Sequence, residues 1–252
     1  MKKAVALLGS RRKMNTYRML TEIREILAQH DISLEIIELY RYDIRDCLGC
    51  EACVLRGKCV LDDDVPEIMA KIADADGIIL ASPVYLQQVS GKMKTLIDRT
   101  CSWYHRPVLT VRPLLSVSTT KGSGLKATLS YLENVARQWG AVPAGKIGRT
   151  IFNSKRPVSE KEMSKFIALL DDPAGYSPTL GQLIDFEVQK SLAQFLNGLD
   201  KEYWTEKGWM QSAYFYRCRV NPFKGLISGI AGRAMRRGMA KGAEREGHSG
   251  NG

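Results

Sequence analysis

Short strand-like stretches alternate with amphipathic segments between residues 4 and 152. The first stretch, Ala4–Leu8, is continuously apolar, a pattern typical of a strand that is buried on both faces of a sheet. In the segments between stretches, apolar residues recur every three or four positions, which is the period of a helix with one face on a core. The predicted strands are Ala4–Leu8, Ile32–Leu39, Gly77–Ala81, Leu114–Ser118 and a fifth within residues 141–152.

Strands that alternate with helices build a parallel sheet with helices on both faces. In such α/β sheets, ligands bind beyond the carboxyl ends of the strands, where the strand order reverses. The loops after the first, third and fourth predicted strands are polar and rich in Gly, Ser, Thr or Pro, and a cysteine-rich segment follows the second. The sequence therefore predicts a doubly wound five-stranded sheet with these loops on one edge.

The polar turn Gly9–Thr16 leads from the first strand directly into a helix, so that backbone N–H groups point at an anion. Ser10, Asn15 and Thr16 add side-chain donors, and Arg12 adds positive charge. The turn is neither a Walker A loop nor a G-x-G-x-x-G motif, and it therefore indicates one terminal phosphate. In the alternative interpretation, these side chains only cap the helix.

Four of the six cysteines fall within thirteen residues with the spacing C-x2-C-x2-C-x5-C: Cys47, Cys50, Cys53 and Cys59. Such close steps favour a [4Fe–4S] cluster, because structural zinc sites usually have two C-x2-C pairs with a longer connection. Two disulfides in so short a loop would be strained. Zinc, and thiols that carry no metal, remain as alternatives. Cys101 follows an apolar helix face and is predicted to be buried and inert.

Length and composition predict one large domain with an extension, because the chain has 252 residues of which 44% are hydrophobic. We place an α/β domain that contains the cysteine cluster of residues 47–59 at residues 1–152, and a helical extension with a basic tail at residues 153–252. The apolar start of the chain ends at Gly9 without a cleavage pattern, and no run of about 18 apolar residues occurs, which predicts a cytoplasmic protein. A reducing cytoplasm keeps thiols free to bind metal.

The net charge of +10 is concentrated near the C-terminus, where the stretch between Lys207 and Ala243 contains eight basic residues and no Asp or Glu. From Phe223 to Lys241, apolar residues recur at helical spacing among these cations. Such a helix packs its apolar face on the body, docks an acidic protein such as a ferredoxin, or lies on an anionic membrane surface. Nucleic-acid binding is not favoured.

Four motifs combine in the chain: Gly9-Ser10-x-Arg12-Lys13-x-Asn15-Thr16, the four cysteines followed by Asp62-Asp63, Ser82-Pro83-Val84-Tyr85, and Gly91-x-x-Lys94-x-x-x-Asp98-Arg99. Together they resemble the iron–sulfur flavoprotein branch of the NAD(P)H-dependent FMN reductase, multimeric flavodoxin-like family. The resemblance covers roughly residues 3 to 150. It implies a flavodoxin-like fold with strand order 2-1-3-4-5 that binds FMN.

The resemblance also assigns roles to residues. The phosphate of FMN would be held by Ser10, Arg12, Asn15 and Thr16. The isoalloxazine would be lined by Pro83, Val84 and Tyr85, with the loop of Thr119, Lys121 and Gly122 beside it. A [4Fe–4S] cluster would be ligated by Cys47, Cys50, Cys53 and Cys59. It further implies a homo-oligomer, a dimer or a tetramer, that exchanges electrons with NAD(P)H or a ferredoxin.

The leading hypothesis is an FMN-dependent oxidoreductase or electron-transfer flavoprotein that couples a [4Fe–4S] cluster to FMN. A flavin enzyme needs few acid–base side chains because the cofactor carries the redox step, which agrees with only three histidines and no hydrolase motif. One alternative is an NAD(P)H-dependent FMN or quinone reductase with structural or zinc-bound cysteines. Another is a non-catalytic, flavin-binding redox sensor. In the alternative interpretation of Tyr85, its ring packs at the base of the loop and does not line the flavin. Lys94, Asp98 and Arg99 are predicted to form a set of ion pairs on one helix face.

Overall fold

A single parallel sheet lies at the centre of the protein, in a computed structural model that describes residues 1–196 and 198–249. The strand order is β2-β1-β3-β4-β5, and every pairing is parallel. The strands are β1 Lys2–Leu8, β2 Ile32–Glu38, β3 Gly77–Pro83, β4 Pro113–Thr119 and β5 Val142–Arg149. The predicted flavodoxin-like α/β fold and its order 2-1-3-4-5 are confirmed.

Helices cover both faces of the sheet and then continue into the C-terminal part. They are α1 Asn15–Ala28, α2 Ala52–Leu55, α3 Val65–Asp74, α4 Gly91–Arg99, α5 Cys101–His105, α6 Leu125–Gln138, α7 Glu160–Asp171, α8 Leu180–Phe195, α9 Gly198–Glu206 and α10 Pro222–Ser249. Among the described helices, none is long and apolar enough to cross a bilayer.

Successive side chains of β1 enter two hydrophobic cores, one on each face of the sheet. Val5 and Leu7 belong to a core shared with α3, α4 and α6, whereas Ala4, Ala6 and Leu8 belong to a core shared with α1 and α7. All five side chains are completely buried. Successive residues of a strand point to opposite faces, so a strand covered on both sides must be apolar throughout.

The C-terminal helices form a third hydrophobic cluster that is rich in aromatic residues. Phe186 of α8 packs against Trp204 of α9 and against Phe215, with ring centroids 5.4 and 4.8 Å apart. The Trp204 indole donates to the carbonyl of His105 at the end of α5. This contact fixes the extension against the part of the chain that follows α4.

Candidate functional site

A cleft of about 260 Å³ opens beyond the carboxyl ends of β1, β3 and β4. We call it the strand-edge cleft. Its lining residues are Ser10, Arg12, Met14, Asn15, Thr16, Pro83, Val84, Tyr85, Thr119, Thr120 and Lys121. Nine of the ten residues predicted from the sequence to bind a cofactor therefore lie around one cleft, and Gly122 follows Lys121 in the same loop without lining it.

The first turn of α1 offers backbone N–H groups to the strand-edge cleft. Met14 occupies the N-cap position, no side chain caps the helix, and its first turn contains no acidic residue. By contrast, the Ser90 side chain accepts a hydrogen bond at the start of α4. The interpretation that Ser10, Asn15 or Thr16 only caps α1 is therefore wrong. Uncapped N–H groups and the positive end of the helix dipole favour an anion at this position.

Three buried hydroxyl groups lie at the strand-edge cleft, and two of them connect its segments. The Oγ1 atoms of Thr16 and Thr119 lie 2.7 Å apart and share a hydrogen bond, which joins the start of α1 to the end of β4. The Ser10 hydroxyl donates to the Arg12 carbonyl at 2.9 Å. Each hydroxyl has one donor and two acceptor positions, so the threonine pair keeps one proton for a ligand oxygen.

Two exposed cations lie at the strand-edge cleft. Arg12 belongs to the loop after β1, and Lys121 belongs to the loop after β4. Within the described part of the chain, neither side chain forms an ion pair with a carboxylate. Their charges therefore remain available to a ligand and, with the α1 N-terminus, make the cleft suitable for a phosphate group.

The loop after β3 provides an apolar shelf at the cleft. The Val84 amide donates to the Thr119 carbonyl at 2.8 Å, and Tyr85 and Gln88 exchange two backbone hydrogen bonds of 2.8 and 3.1 Å. Half of the Tyr85 surface is exposed, so this ring is not packed into the base of its loop. A flat apolar surface beside polar groups is the kind of lining that an aromatic ligand requires.

Gly124 brings the loop after β4 into direct contact with this shelf. Its φ angle is +88°, and a Cβ atom would lie 2.8 Å from the Gln87 Cα and 2.9 Å from the Val84 Cγ1. A side chain at this position would therefore both strain the backbone and push the two loops apart.

The four clustered cysteines surround one narrow cavity of about 20 Å³, which we call the cysteine cavity. Its lining residues are Cys47, Leu48, Cys50, Glu51, Cys53, Cys59, Val60, Leu61, Asp98 and Arg99. All four thiols are free. Within the described residues, no three His, Cys, Asp or Glu side chains stand close enough to hold a metal ion. The donor set suits a metal centre, and the four thiols would have to converge for one metal site to bind all of them.

Arg99 forms one wall of the cysteine cavity. Its guanidinium is buried and donates to the Cys59 Sγ at 3.4 Å and to the Arg45 carbonyl at 2.9 Å, and it pairs with the fully buried carboxylate of Asp63. The Arg99 Nε is buried without a hydrogen-bond partner in the described structure. A positive group with unused hydrogen-bonding capacity therefore faces the thiols.

Arg106 holds the middle of the cysteine loop. It donates to the carbonyls of Cys53 at 2.6 Å and Val54 at 3.1 Å, and it also pairs with Asp200 of α9. The Asp200 carboxylate is completely buried and lies 3.0 Å from the His105 Nδ1. The C-terminal extension is thereby connected to the backbone of the cysteine loop, a connection that the spacing of the cysteines does not reveal.

Burial and charge shift the pKa values of groups at the cysteine cavity. Burial raises the pKa of the Cys53 thiol, and the neighbouring Cys59 and Cys47 raise it further. At Asp63, burial acts to raise the pKa of the carboxyl, but hydrogen bonds from Arg99 and from two backbone amides outweigh it and hold the value below the usual range. Asp63 therefore stays ionised and balances the guanidinium.

Cys101 is a fifth thiol at the same place. It begins α5 and it is exposed, and partial burial together with the neighbouring Cys53 and Cys47 raises the pKa of its thiol. The prediction that Cys101 is buried is wrong, because α2 packs against α5 and brings this thiol, still exposed, to the cysteine loop. The predicted ion pair between Lys94 and Asp98 is confirmed, whereas Arg99 points to the cysteine cavity instead of joining them.

The chain is similar to proteins of one known family. The sequence pattern of the family described as NADPH-dependent FMN reductase matches residues 2–151. The chain is 31% identical over 221 residues to an iron-sulfur flavoprotein of Archaeoglobus fulgidus, and the alignment covers 82% of this chain and all of the relative. It is 26% identical over 218 residues to an iron-sulfur flavoprotein of Clostridioides difficile, with 79% and 93% of the two chains covered.

Solved structures agree on the fold. RosB with a bound 8-demethyl-8-formylriboflavin-5'-phosphate intermediate superposes with a TM-score of 0.53 at 12% identity, covering 88% of this chain and 92% of RosB. A flavone reductase gives a TM-score of 0.50 at 15% identity and covers 67% of this chain and 60% of its own. Similarity at such low identity concerns the fold alone.

Proposed function

The chain belongs to the NADPH-dependent FMN reductase family and is a flavin-dependent oxidoreductase; on this premise, we propose that it couples FMN in the strand-edge cleft to a [4Fe–4S] cluster at the cysteine cavity. The observation that carries the proposal is the clustering itself. Nine residues with predicted flavin roles line one cleft, and all four clustered cysteines line one cavity.

The strand-edge cleft supports FMN because its polar and apolar parts are separated. In our proposal, the α1 N-terminus, Ser10, Thr16 and Arg12 bind the phosphate, while Pro83, Val84 and Tyr85 lie against the isoalloxazine, with Thr119, Lys121 and Gly122 beside it. Bound FMN supplies the hydride and electron chemistry. The protein's own contribution is to bind the phosphate, orient the ring and exclude water from one of its faces.

The cysteine cavity supports an anionic iron–sulfur cluster through its charges. Four thiolates around an iron–sulfur core need positive neighbours, and the buried guanidinium of Arg99 lies at the cavity wall while the partly buried guanidinium of Arg106 lies at the loop backbone. The relatives named iron-sulfur flavoprotein favour iron over zinc. Helix α4 begins six residues after Tyr85 and ends at Arg99, so this helix connects the two sites along the chain.

The electron donor and the assembly follow from the same proposal. We infer that NAD(P)H or a ferredoxin reduces the protein and that it works as a dimer or a tetramer. Steady-state oxidation of NADPH by the purified holoprotein tests the donor, and reduction by NADPH with turnover is expected. Stable flavin with neither NADPH nor ferredoxin oxidation would instead identify a redox sensor.

Cofactor content tests the proposed pair of sites. Protein purified without oxygen is expected to contain FMN, iron and acid-labile sulfide. We expect Cys50→Ser to lose most of its iron and sulfide and to keep most of its FMN, while the matched control Cys218→Ser keeps all three, because Cys218 lies in the C-terminal cluster. Zinc without sulfide would favour the reductase with zinc-bound cysteines. Equal iron in Cys50→Ser and wild type would refute the ligand assignment.

A further inference from the structure

Helix α10 rests on α8 through its smallest residues. Gly225, Ser228, Gly229 and Gly232 lie on one side of the helix, and Ser228 is 5% exposed. A Cβ atom at Gly232 would collide with the Glu187 carboxylate of α8, and Arg236 forms an ion pair with the same carboxylate at 2.7 Å. This close approach and this ion pair fix which side of α10 faces the protein.

Three large apolar residues of α10 face away from α8. Phe223, Leu226 and Ile230 are 70%, 57% and 52% exposed. With 3.6 residues per turn they fall within about 60° of the helix circumference, opposite the glycine side. The interpretation that the apolar face of this helix packs on the body is therefore wrong for these residues. We call them the apolar stripe.

Positive charges continue the apolar stripe toward the C-terminus. Arg233, Arg237 and Lys241 are exposed and recur at four-residue intervals on the same side of α10. No described carboxylate pairs with any of them. The whole stretch between Lys207 and Ala243 also lacks Asp and Glu. Between Phe223 and Lys241, one side of the helix thus presents an apolar part followed by a cationic part.

We propose that this side of α10 docks the protein on an anionic lipid surface. A bilayer accepts projecting Phe, Leu and Ile side chains without complementary pockets, and anionic headgroups offset the three cations. A second copy of the chain fits less well, because this stretch contains no Asp or Glu and the same side of another α10 therefore offers the cations no negative partner. The helix would lie in the plane of the interface, with the apolar stripe inserted and the long basic side chains reaching the headgroups.

Cosedimentation of the full-length holoprotein with lipid vesicles tests the proposal. We expect binding to vesicles of phosphatidylcholine with phosphatidylglycerol, little binding to phosphatidylcholine alone, and weaker binding at high salt. A Phe223→Trp variant should show a blue shift of its emission with anionic vesicles only. Full-length protein that stays in the supernatant with anionic vesicles overturns the proposal.

Two sets of substitutions separate the contributions, with FMN content and the far-ultraviolet spectrum as checks of folding. Phe223→Ser/Leu226→Ser/Ile230→Ser should abolish binding. Neutralising Arg233, Arg237 and Lys241 to Gln should weaken it by on the order of a hundredfold. The control Phe152→Ser removes an apolar residue that follows β5 and is more exposed than any residue of the apolar stripe, and it should bind like wild type. Binding that survives both sets overturns the proposal. The proposal is also overturned if the apolar-stripe substitutions leave vesicle binding unchanged and alter only the oligomeric state, or only the rate of electron transfer with an acidic protein carrier.

Discussion

Replacing Asp63 with Asn removes the charge that balances Arg99 at the cysteine cavity. Both side chains are buried, and Asp63 accepts hydrogen bonds from the guanidinium and from the backbone amides of Arg45 and Val65, at 3.0 and 3.2 Å. An asparagine offers one acceptor oxygen in place of two and turns an NH2 group toward a cation. Breaking a buried ion pair by removing one partner costs about 3–5 kcal/mol, so we expect Asp63→Asn to lower the free energy of unfolding by about 3 kcal/mol.

Denaturation in guanidinium chloride, followed by fluorescence and circular dichroism, measures the change. The matched control is Asp62→Asn, which removes the same charge from an exposed neighbour and should cost less than about 0.5 kcal/mol. In the double variant Asp63→Asn/Arg99→Met, no unpaired guanidinium is left, and part of the lost stability should return.

Two results would refute this reasoning. If Asp63→Asn were no more destabilising than Asp62→Asn, the buried pair would not stabilise the fold. If the double variant were as unstable as the sum of the two single variants, the unpaired charge would not be the cause of the loss.

Three further predictions concern the cleft and the sheet. Thr16→Val should weaken FMN binding by about 1–3 kcal/mol in a titration of the apoprotein, because a hydroxyl donor to a charged acceptor is lost, while the control Thr21→Val on the same helix should not change it. Gly124→Ala should lower stability by about 1–2 kcal/mol, because Gly124 has a positive φ angle. It should also weaken FMN binding, because Gly124 contacts the apolar shelf formed by the loop after β3. Arg149 lowers the pKa of Glu162 from 4.5 to about 2, so this pair adds stability that is present above pH 4.5 and lost as the pH falls toward 2. In acid titrations of unfolding, Glu162→Gln should remove about 1–3 kcal/mol of this pH-dependent stability.

Each of these three has an outcome that contradicts it. Unchanged FMN affinity in Thr16→Val would place the phosphate elsewhere. A Gly124→Ala protein with wild-type stability would mean that the loop relaxes without strain. A Glu162→Gln protein that loses stability in acid as steeply as wild type would assign the acid sensitivity to other carboxylates.

The sheet and the strand-edge cleft could be predicted because their signals are local. Strands buried on both faces leave continuous apolar runs, as Ala4–Leu8 does, and parallel strands place the loops at their carboxyl ends on one edge. The spacing of the cysteines likewise predicted that four thiols share one cavity. The surroundings of that cavity could not be predicted. Arg106 and Asp200 lie far from the cysteines along the chain, and only the packing of α2, α5 and α9 brings them to the loop.

Helix α10 shows a different limit of sequence patterns. Its apolar period predicts an amphipathic helix, and the usual expectation is that the apolar face is buried. Gly232 reverses the expectation, because the absence of a side chain lets α10 approach Glu187 of α8 more closely than any larger residue would. Close packing can therefore select the glycine side of a helix and leave the apolar side for another contact.

An anaerobic redox titration of the purified holoprotein tests the central claim most directly. With both cofactors bound, the protein should take up more electrons per FMN than free FMN can hold, and Cys50→Ser should take up only as many as its FMN holds. The spectra should show a second chromophore that bleaches with the flavin in wild type and is absent from Cys50→Ser. Electron uptake equal to that of FMN alone in both proteins would contradict the proposal that a cluster is coupled to FMN.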